Sequence, residues 1–290
     1  SQLPPPPEPC KLPLLACSVQ EKEKLTPSPE PFTLGEWSSS WVSSEYESAV
    51  VKVQEAIAQG DVYQVNLVQH LQTTFAGDPA GLAKALAPLS PRTPKPFLGD
   101  KWAIISASPE LFLARRGNHI WTMPIKGTRS LRSSERIASS AKERAEHTMI
   151  VDLQRNDLSQ ICKPGTVTWP ELMIERPLAG VSHMISRIEG ELKPHLGIAD
   201  ILEATFPGGS ITGAPKISAI DHIANLEPVG RGASMGALGT IHPNGDFDLS
   251  LTIRTFAVNN CTVHLWVGGG IVADSDPSTE VEESWIKARP

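Results

Sequence analysis

The chain has 290 residues and a formal net charge of −6, its 26 basic and 32 acidic side chains scattered rather than clustered. That pattern excludes the electrostatic footprint of a nucleic-acid or anionic-membrane binder, and no apolar run approaches the roughly 20 residues of a membrane-spanning helix. The length suits one large domain or two smaller ones. The four cysteines, Cys10, Cys17, Cys162 and Cys261, lack CxxC or zinc-ligand spacing and fit a reduced, cytoplasmic enzyme.

Residues 1–42 are rich in Pro, Ser and Glu and read as a linker or the remnant of an N-terminal region, with the folded domain over 43–290. Ser1 to Pro9, charged only at Glu8, does not read as a secretory signal. A helix is predicted from Ser44: Tyr46, Ala49, Val50, Val53, Ala56 and Ile57 keep the helical period and Gly60 ends it. Asp61 to Phe75 alternates like a strand, Gln64, Asn66 and Val68 on one face and Tyr63, Val65 and Leu67 on the other. A short helix (80–86), a proline-broken loop (88–96) and apolar strands near 102–107, 110–115 and 119–125 follow.

The longest helix is expected over 134–161, opened by Ser133 and Ser134. Strands at 166–175 and 180–192, a helix near 197–205, a Gly-rich turn (208–213) and a helix from about Pro215 come next. Strands at 233–241, 247–257 and 261–267, a second Gly-rich turn and a final helix close the chain. Long antiparallel-type strands among few helices predict an α+β fold rather than a doubly wound parallel sheet.

Within these elements a few residues carry chemistry. Lys126, in Pro124-Ile125-Lys126-Gly127-Thr128, is either a strand-end charge or an amine whose pKa burial lowers toward nucleophilic neutrality. Glu143 and Glu146 share a helix face, and Glu280, Glu282 and Glu283 recur on the last helix with Lys287 a turn beyond. These are solvated faces, or two acidic helices that meet around a hard divalent ion.

The turn Gly208 to Lys216 places its lysine wrongly for a phosphate loop, and Gly268-Gly269-Gly270 has no distal ribose-binding acid after it. Neither binds a dinucleotide, yet both can offer backbone amides to a carboxylate. Arg254, on a predicted strand, is a surface charge or a bidentate carboxylate partner.

Taken together, GDVYQVNL (60–67), SPELFL (108–113), PIKGTR (124–129), KERAEHTMIVDLQRNDL (142–158), VSHMIS (181–186), TFPGGSITGAPK (205–216), IRT (253–255) and GGGIVADSDPSTEVEESWIKA (268–288) resemble the chorismate-utilising enzymes. These are the anthranilate, aminodeoxychorismate, isochorismate and salicylate synthases, and the resemblance runs from about Tyr46 to Lys287. It implies a large two-part antiparallel β-sandwich with helices outside, and chorismate and Mg²⁺ in a cleft between its halves. Water-adding relatives have a lysine base where this chain has Gln64, and a glutamine amide cannot deprotonate water. Anthranilate synthases typically read PIAGT where Lys126 stands here. The resemblance is therefore closest to the synthases of 4-amino-4-deoxychorismate, with anthranilate synthase component I or a non-catalytic chorismate-binding paralogue as alternatives.

By the same resemblance Lys126 is the nucleophile, Glu110 the general acid and His183 a ring-side histidine or a packed one. Glu146 and Glu283 hold Mg²⁺ with Glu143 and Glu280 as water-mediated partners. Thr128, Ser210, Thr212, Gly213, Arg254, Gly268, Gly269, Gly270, Lys287 and Gln64 line the substrate. Ser234 departs from the family, which usually has Tyr or Trp there. None of the four cysteines sits on a Gly-flanked turn that would expose a glutaminase thiolate. Ammonia is thus expected from solution or from a glutaminase (glutamine amidotransferase) subunit.

Overall fold

The computed structural model describes residues 5–19, 30–130, 137–178 and 181–288. In chain order the first elements are β1 (Phe32–Leu34), β2 (Ser38–Ser39), α1 (Ser43–Gln59), β3 (Gln64–Gly77) and α2 (Pro79–Leu86). Next come β4 (Phe97–Leu98), β5 (Trp102–Ser106), β6 (Leu111–Arg116), β7 (His119–Met123), β8 (Ile125–Ser130) and α3 (Ala141–Ile161). Then follow β9 (Thr168–Leu178), β10 (Val181–Glu191), α4 (Ile198–Thr205), β11 (Gly213–Ala214) and α5 (Lys216–Leu226). The last are β12 (Ala237–Ile241), β13 (Phe247–Leu251), β14 (Thr255–Asn259), β15 (Thr262–Ile271) and α6 (Pro277–Ala288).

The strands form two antiparallel sheets. One runs β1-β3-β15-β14-β5-β4, with β2 and β11 also on β3; the other runs β12-β13-β6-β7-β10-β8, with β9 on β10. Their facing sides share a core of Val68, Ile104, Ala257 and Trp266 against Phe112, Leu113, Ile120, Ile188 and Leu249, with Val151, Leu158 and Ile161 of α3. The alternation of β3 divides its residues between two cores. Val68 faces the other sheet, while Val65 and Leu67 pack with Tyr46, Val50 and Val53 of α1, Ala219 and Ile223 of α5 and Val281 of α6. This confirms the expected α+β sandwich with helices outside.

Local sequence explains the helix ends. Gly60 closes α1 at φ 84° and donates its N–H to Ile57, a left-handed cap that suits glycine. Ser140 opens α3, its hydroxyl accepting the Glu143 N–H. The expected openers, Ser133 and Ser134, lie outside the described residues, and Ile137–Ser139 forms a separate 3₁₀ turn.

Three expectations change. The single strand read over 247–257 is β13 and β14, which belong to different sheets. The chain crosses between them at 252–254, where Arg254 takes φ 47°, so Arg254 is not a strand residue. Gly268–Gly270 are not a turn but part of β15, paired with Val68, Leu67 and Asn66. Period-2 patterning sees neither change, because a glycine run carries no side-chain alternation. Within the stretch read as linker or remnant, β1 and β2 add to β3, and Trp41 packs on Tyr46 at 5.1 Å.

Ile188 is fully buried between the sheets and α3. Ile188→Ala is expected to lower stability by about 2–5 kcal/mol through lost burial and a residual cavity. Urea unfolding at an unchanged m-value measures it.

Candidate active site

One sheet carries the central pair, at two places that are not on neighbouring strands. Glu110 immediately precedes β6 and is 3% exposed; Lys126 lies on β8, opposite Met184 of β10. Burial pushes the Glu110 carboxyl up to about 7, against the hydrogen bond from Ser210, the charge of Lys126, the Ile125 N–H and the charge of Arg254. Burial likewise pushes the Lys126 ammonium down from its ordinary value; Glu146 pulls it back, Lys287 adds to the push, and Glu110 and Glu143 oppose it. Desolvation thus shifts the acid toward its protonated form and the partly buried base toward its free amine, the directions that general-acid and nucleophilic roles require.

The remaining residues are placed by loops and crossovers. Ser210 donates to Glu110 Oε1 at 2.7 Å from the buried turn Gly209–Ile211. Arg254, from the crossover between sheets, acts electrostatically on both Glu110 and His183. His183 on β10 is 2% exposed, and its Nδ1 lies 3.1 Å from the Gly127 carbonyl. Burial keeps its ring neutral, so Nδ1 carries the proton that donates to Gly127 and Nε2 is the acceptor nitrogen. Gly127 has φ 67°, and a Cβ there would meet Glu143 Oε2 at 3.1 Å; the glycine lets α3 bring its carboxylate beside β8.

Gln64, 2% exposed, packs its amide nitrogen over Gly270, and among the described residues its buried Oε1 has no hydrogen-bond partner. A buried amide oxygen in that condition calls for a donor from solvent or ligand. Lys287 Nζ donates to the Gly268 carbonyl at 3.1 Å and lies 3.5 Å from Glu283. Lys126 feels both Lys287 of α6 and Glu146 of α3, so residues of both helices act on the same amine.

Other predicted residues are engaged elsewhere. The Thr212 hydroxyl donates to the Gly208 carbonyl of its own loop at 3.1 Å. Gly213, at φ 137°, pairs with Val65 across β3. The Thr128 side chain lies outside the described residues. Glu280 accepts from Ser275 at 2.7 Å and Glu283 from Lys287, and among the described residues no three metal-ligating side chains converge. Glu143 and Glu146 of α3 both act on Lys126, and such carboxylates are hard oxygen donors of the kind a divalent cation takes. Ser234 is buried, its hydroxyl 3.4 Å from the Thr252 carbonyl, and brings no aromatic ring.

Sequence reasoning missed His147. It is fully buried, with Nε2 2.6 Å from Ser186 Oγ, and the charge of Lys126 reaches it. Its signal was its place in the buried stripe His147, Ile150, Val151, Gln154 and Leu158 at helical spacing. Among the described residues no helix is long and apolar enough to cross a membrane.

The family model for a chorismate binding enzyme matches residues 6–290. Over 280 residues the chain is 39% identical to aminodeoxychorismate synthase component 1 of Escherichia coli (strain K12), covering 92% of this chain and 61% of that protein. Over 276 residues it is 38% identical to anthranilate synthase component 1 of Neisseria meningitidis serogroup B, covering 89% of this chain and 55% of that protein. It superposes on anthranilate synthase component I from Streptococcus pneumoniae with a TM-score of 0.82 at 31% identity, over 94% of this chain and 62% of that one. The chain therefore spans less than two thirds of these relatives' own lengths.

The raised Glu110 pKa has a signed consequence. Because the folded state holds this proton more tightly than the unfolded one, its contribution to stability falls as pH rises from 4.5 to about 7 and is flat above. Glu110→Gln is expected to lack that fall. Denaturant unfolding from pH 4 to pH 8 measures the difference between the two proteins; parallel curves would place the carboxyl's titration elsewhere.

Proposed function

The chain belongs to the chorismate-binding enzymes, and on that premise we propose that it aminates chorismate to 4-amino-4-deoxychorismate, as an aminodeoxychorismate synthase component I. The observation that carries this reading is a partly buried lysine, Lys126, electrostatically coupled to the buried, protonatable Glu110. Identities of 39% and 38% to the two kinds of synthase do not separate them; the residue that does is Lys126, where anthranilate synthases typically have alanine.

In the proposed course, Lys126 Nζ attacks ring carbon C2, the ring double bonds shift, and the C4–oxygen bond breaks. Glu110 gives its proton to the departing hydroxyl, which leaves as water. Ammonia then bonds to C4, the double bonds shift back, and the C2–nitrogen bond breaks to release Lys126. Two modest displacements replace one difficult one. Arg254 and Lys287 offer cationic partners to the carboxylates of chorismate. His183, neutral and fixed by Gly127, supplies a hydrogen-bond acceptor beside the ring. Glu146, Glu283, Glu143 and Glu280 would hold Mg²⁺, which supplies positive charge toward the ring carboxylate. The nitrogen source would be free ammonia or a separate glutaminase subunit. Gln64 supports amination over hydration, since its amide lacks the basicity to activate water.

Incubation with chorismate, Mg²⁺ and ammonium, and separately with glutamine, is expected to yield 4-amino-4-deoxychorismate from ammonium and almost none from glutamine. Mass spectrometry of the products measures it. Anthranilate or isochorismate as main product would overturn the assignment, and efficient glutamine use by the chain alone would overturn the need for a partner.

Lys126→Ala is expected to lower turnover by ~10³-fold or more while chorismate affinity stays within ~10-fold, because the amine acts chiefly in the transition state. Steady-state kinetics with a calorimetric binding constant distinguish this from a strand-end charge, whose loss would leave turnover unchanged.

A further inference from the structure

The loop 206–215 between α4 and α5 delivers Ser210 to Glu110, and its residues 208–214 are all buried. Glycines at 208, 209 and 213 give it little intrinsic stiffness. It is tied instead at its neck. Lys216, the first residue of α5, donates to Asp157 Oδ2 at 2.6 Å and to the carbonyl of Thr205, the last residue of α4, at 3.4 Å. One ammonium therefore joins both ends of the loop.

Asp157 moors that closure to α3, the helix carrying Glu143 and Glu146. Leu153, one turn earlier on α3, fills the space a side chain at Gly209 would need. The two charged side chains are only 16% and 9% exposed. Burial pushes the Asp157 carboxyl up to about 6, with Lys216 opposing it. In a buried pair desolvation offsets much of the attraction, so such a pair is better explained by the geometry it imposes than by net stability.

We propose that Asp157 and Lys216 are positioning residues that clamp the neck of the 206–215 loop and thereby set Ser210 and the loop amides for chorismate. The proposal rests on the chorismate site argued above. The clamp acts by holding Ser210 and the loop amides in place for chorismate, and through α3 it keeps the loop in register with the helix carrying Glu143 and Glu146. Neither charged group needs to touch substrate.

The decisive variant is the double substitution Asp157→Leu with Lys216→Met, which removes both buried charges at once; Asp157→Asn is the milder second variant should the first not fold. Four quantities are read on the full chain: the urea midpoint, amide exchange of the 206–215 peptide by mass spectrometry, the calorimetric chorismate Kd, and kcat with KM for chorismate. The expected result is a near-native midpoint, exchange about tenfold faster in 206–215, and Kd and KM raised about tenfold with kcat within about threefold. Unchanged exchange in 206–215 would overturn the clamp. Faster exchange with unchanged chorismate affinity would overturn its link to the site, and a lower midpoint with unaltered KM would show a merely structural pair. If the parent chain neither binds nor consumes chorismate, the functional reading fails, while exchange still decides the clamp.

Discussion

Desolvation of Glu110 and Lys126 within one cleft is the constraint on which the rest of the structure depends. Water would stabilise both charges and leave a carboxylate and an ammonium, neither suited to give a proton or an electron pair. Desolvation biases each toward its neutral form. It also obliges the fold to supply partners, because buried polar groups without them are costly. Ser210, the Ile125 N–H and Arg254 serve Glu110, and Glu146 and Glu143 oppose the loss of charge on Lys126.

Those partners come from every layer. The crossover at 252–254 takes the chain from one sheet to the other and puts Arg254 where its charge acts on Glu110. The helix α3 packs its apolar stripe on both sheets' shared core and turns Glu143 and Glu146 toward β8. The C-terminal helix α6 returns Lys287 to Gly268 on β15. The three glycines there form a smooth strand against which the Gln64 amide and the Lys287 ammonium lie without side-chain obstruction.

A second polar network shows the same logic away from the cleft. Arg231 bonds Glu227 with two nitrogens and also donates to the carbonyls of Ile211 and Asn66. Glu227 accepts the Val68 N–H in turn. The 206–215 loop and the central strand β3 are thereby locked together through a buried, fully hydrogen-bonded pair, the arrangement in which burying charge is tolerable.

By itself the sequence determined the α+β class, most element positions, and the candidates Glu110, Glu143, Glu146 and Lys287 that act on Lys126. It could do so because helical and strand periods are local, because a lysine as demanding as Lys126 stands out between apolar strands, and because Glu110 and the other site residues fall in motifs resembling the chorismate-utilising enzymes. Only the tertiary structure decided that 247–257 serves two sheets, that Gly268–Gly270 are strand, and that Thr212 turns its hydroxyl into its own loop. The same holds for His147 and for the bond from Lys216 to Asp157, 59 residues apart. Such outcomes follow from packing between segments distant along the chain. A period-2 or period-3.6 pattern reports which face of an element is buried, but not which partner buries it, nor where the chain leaves one sheet for the next.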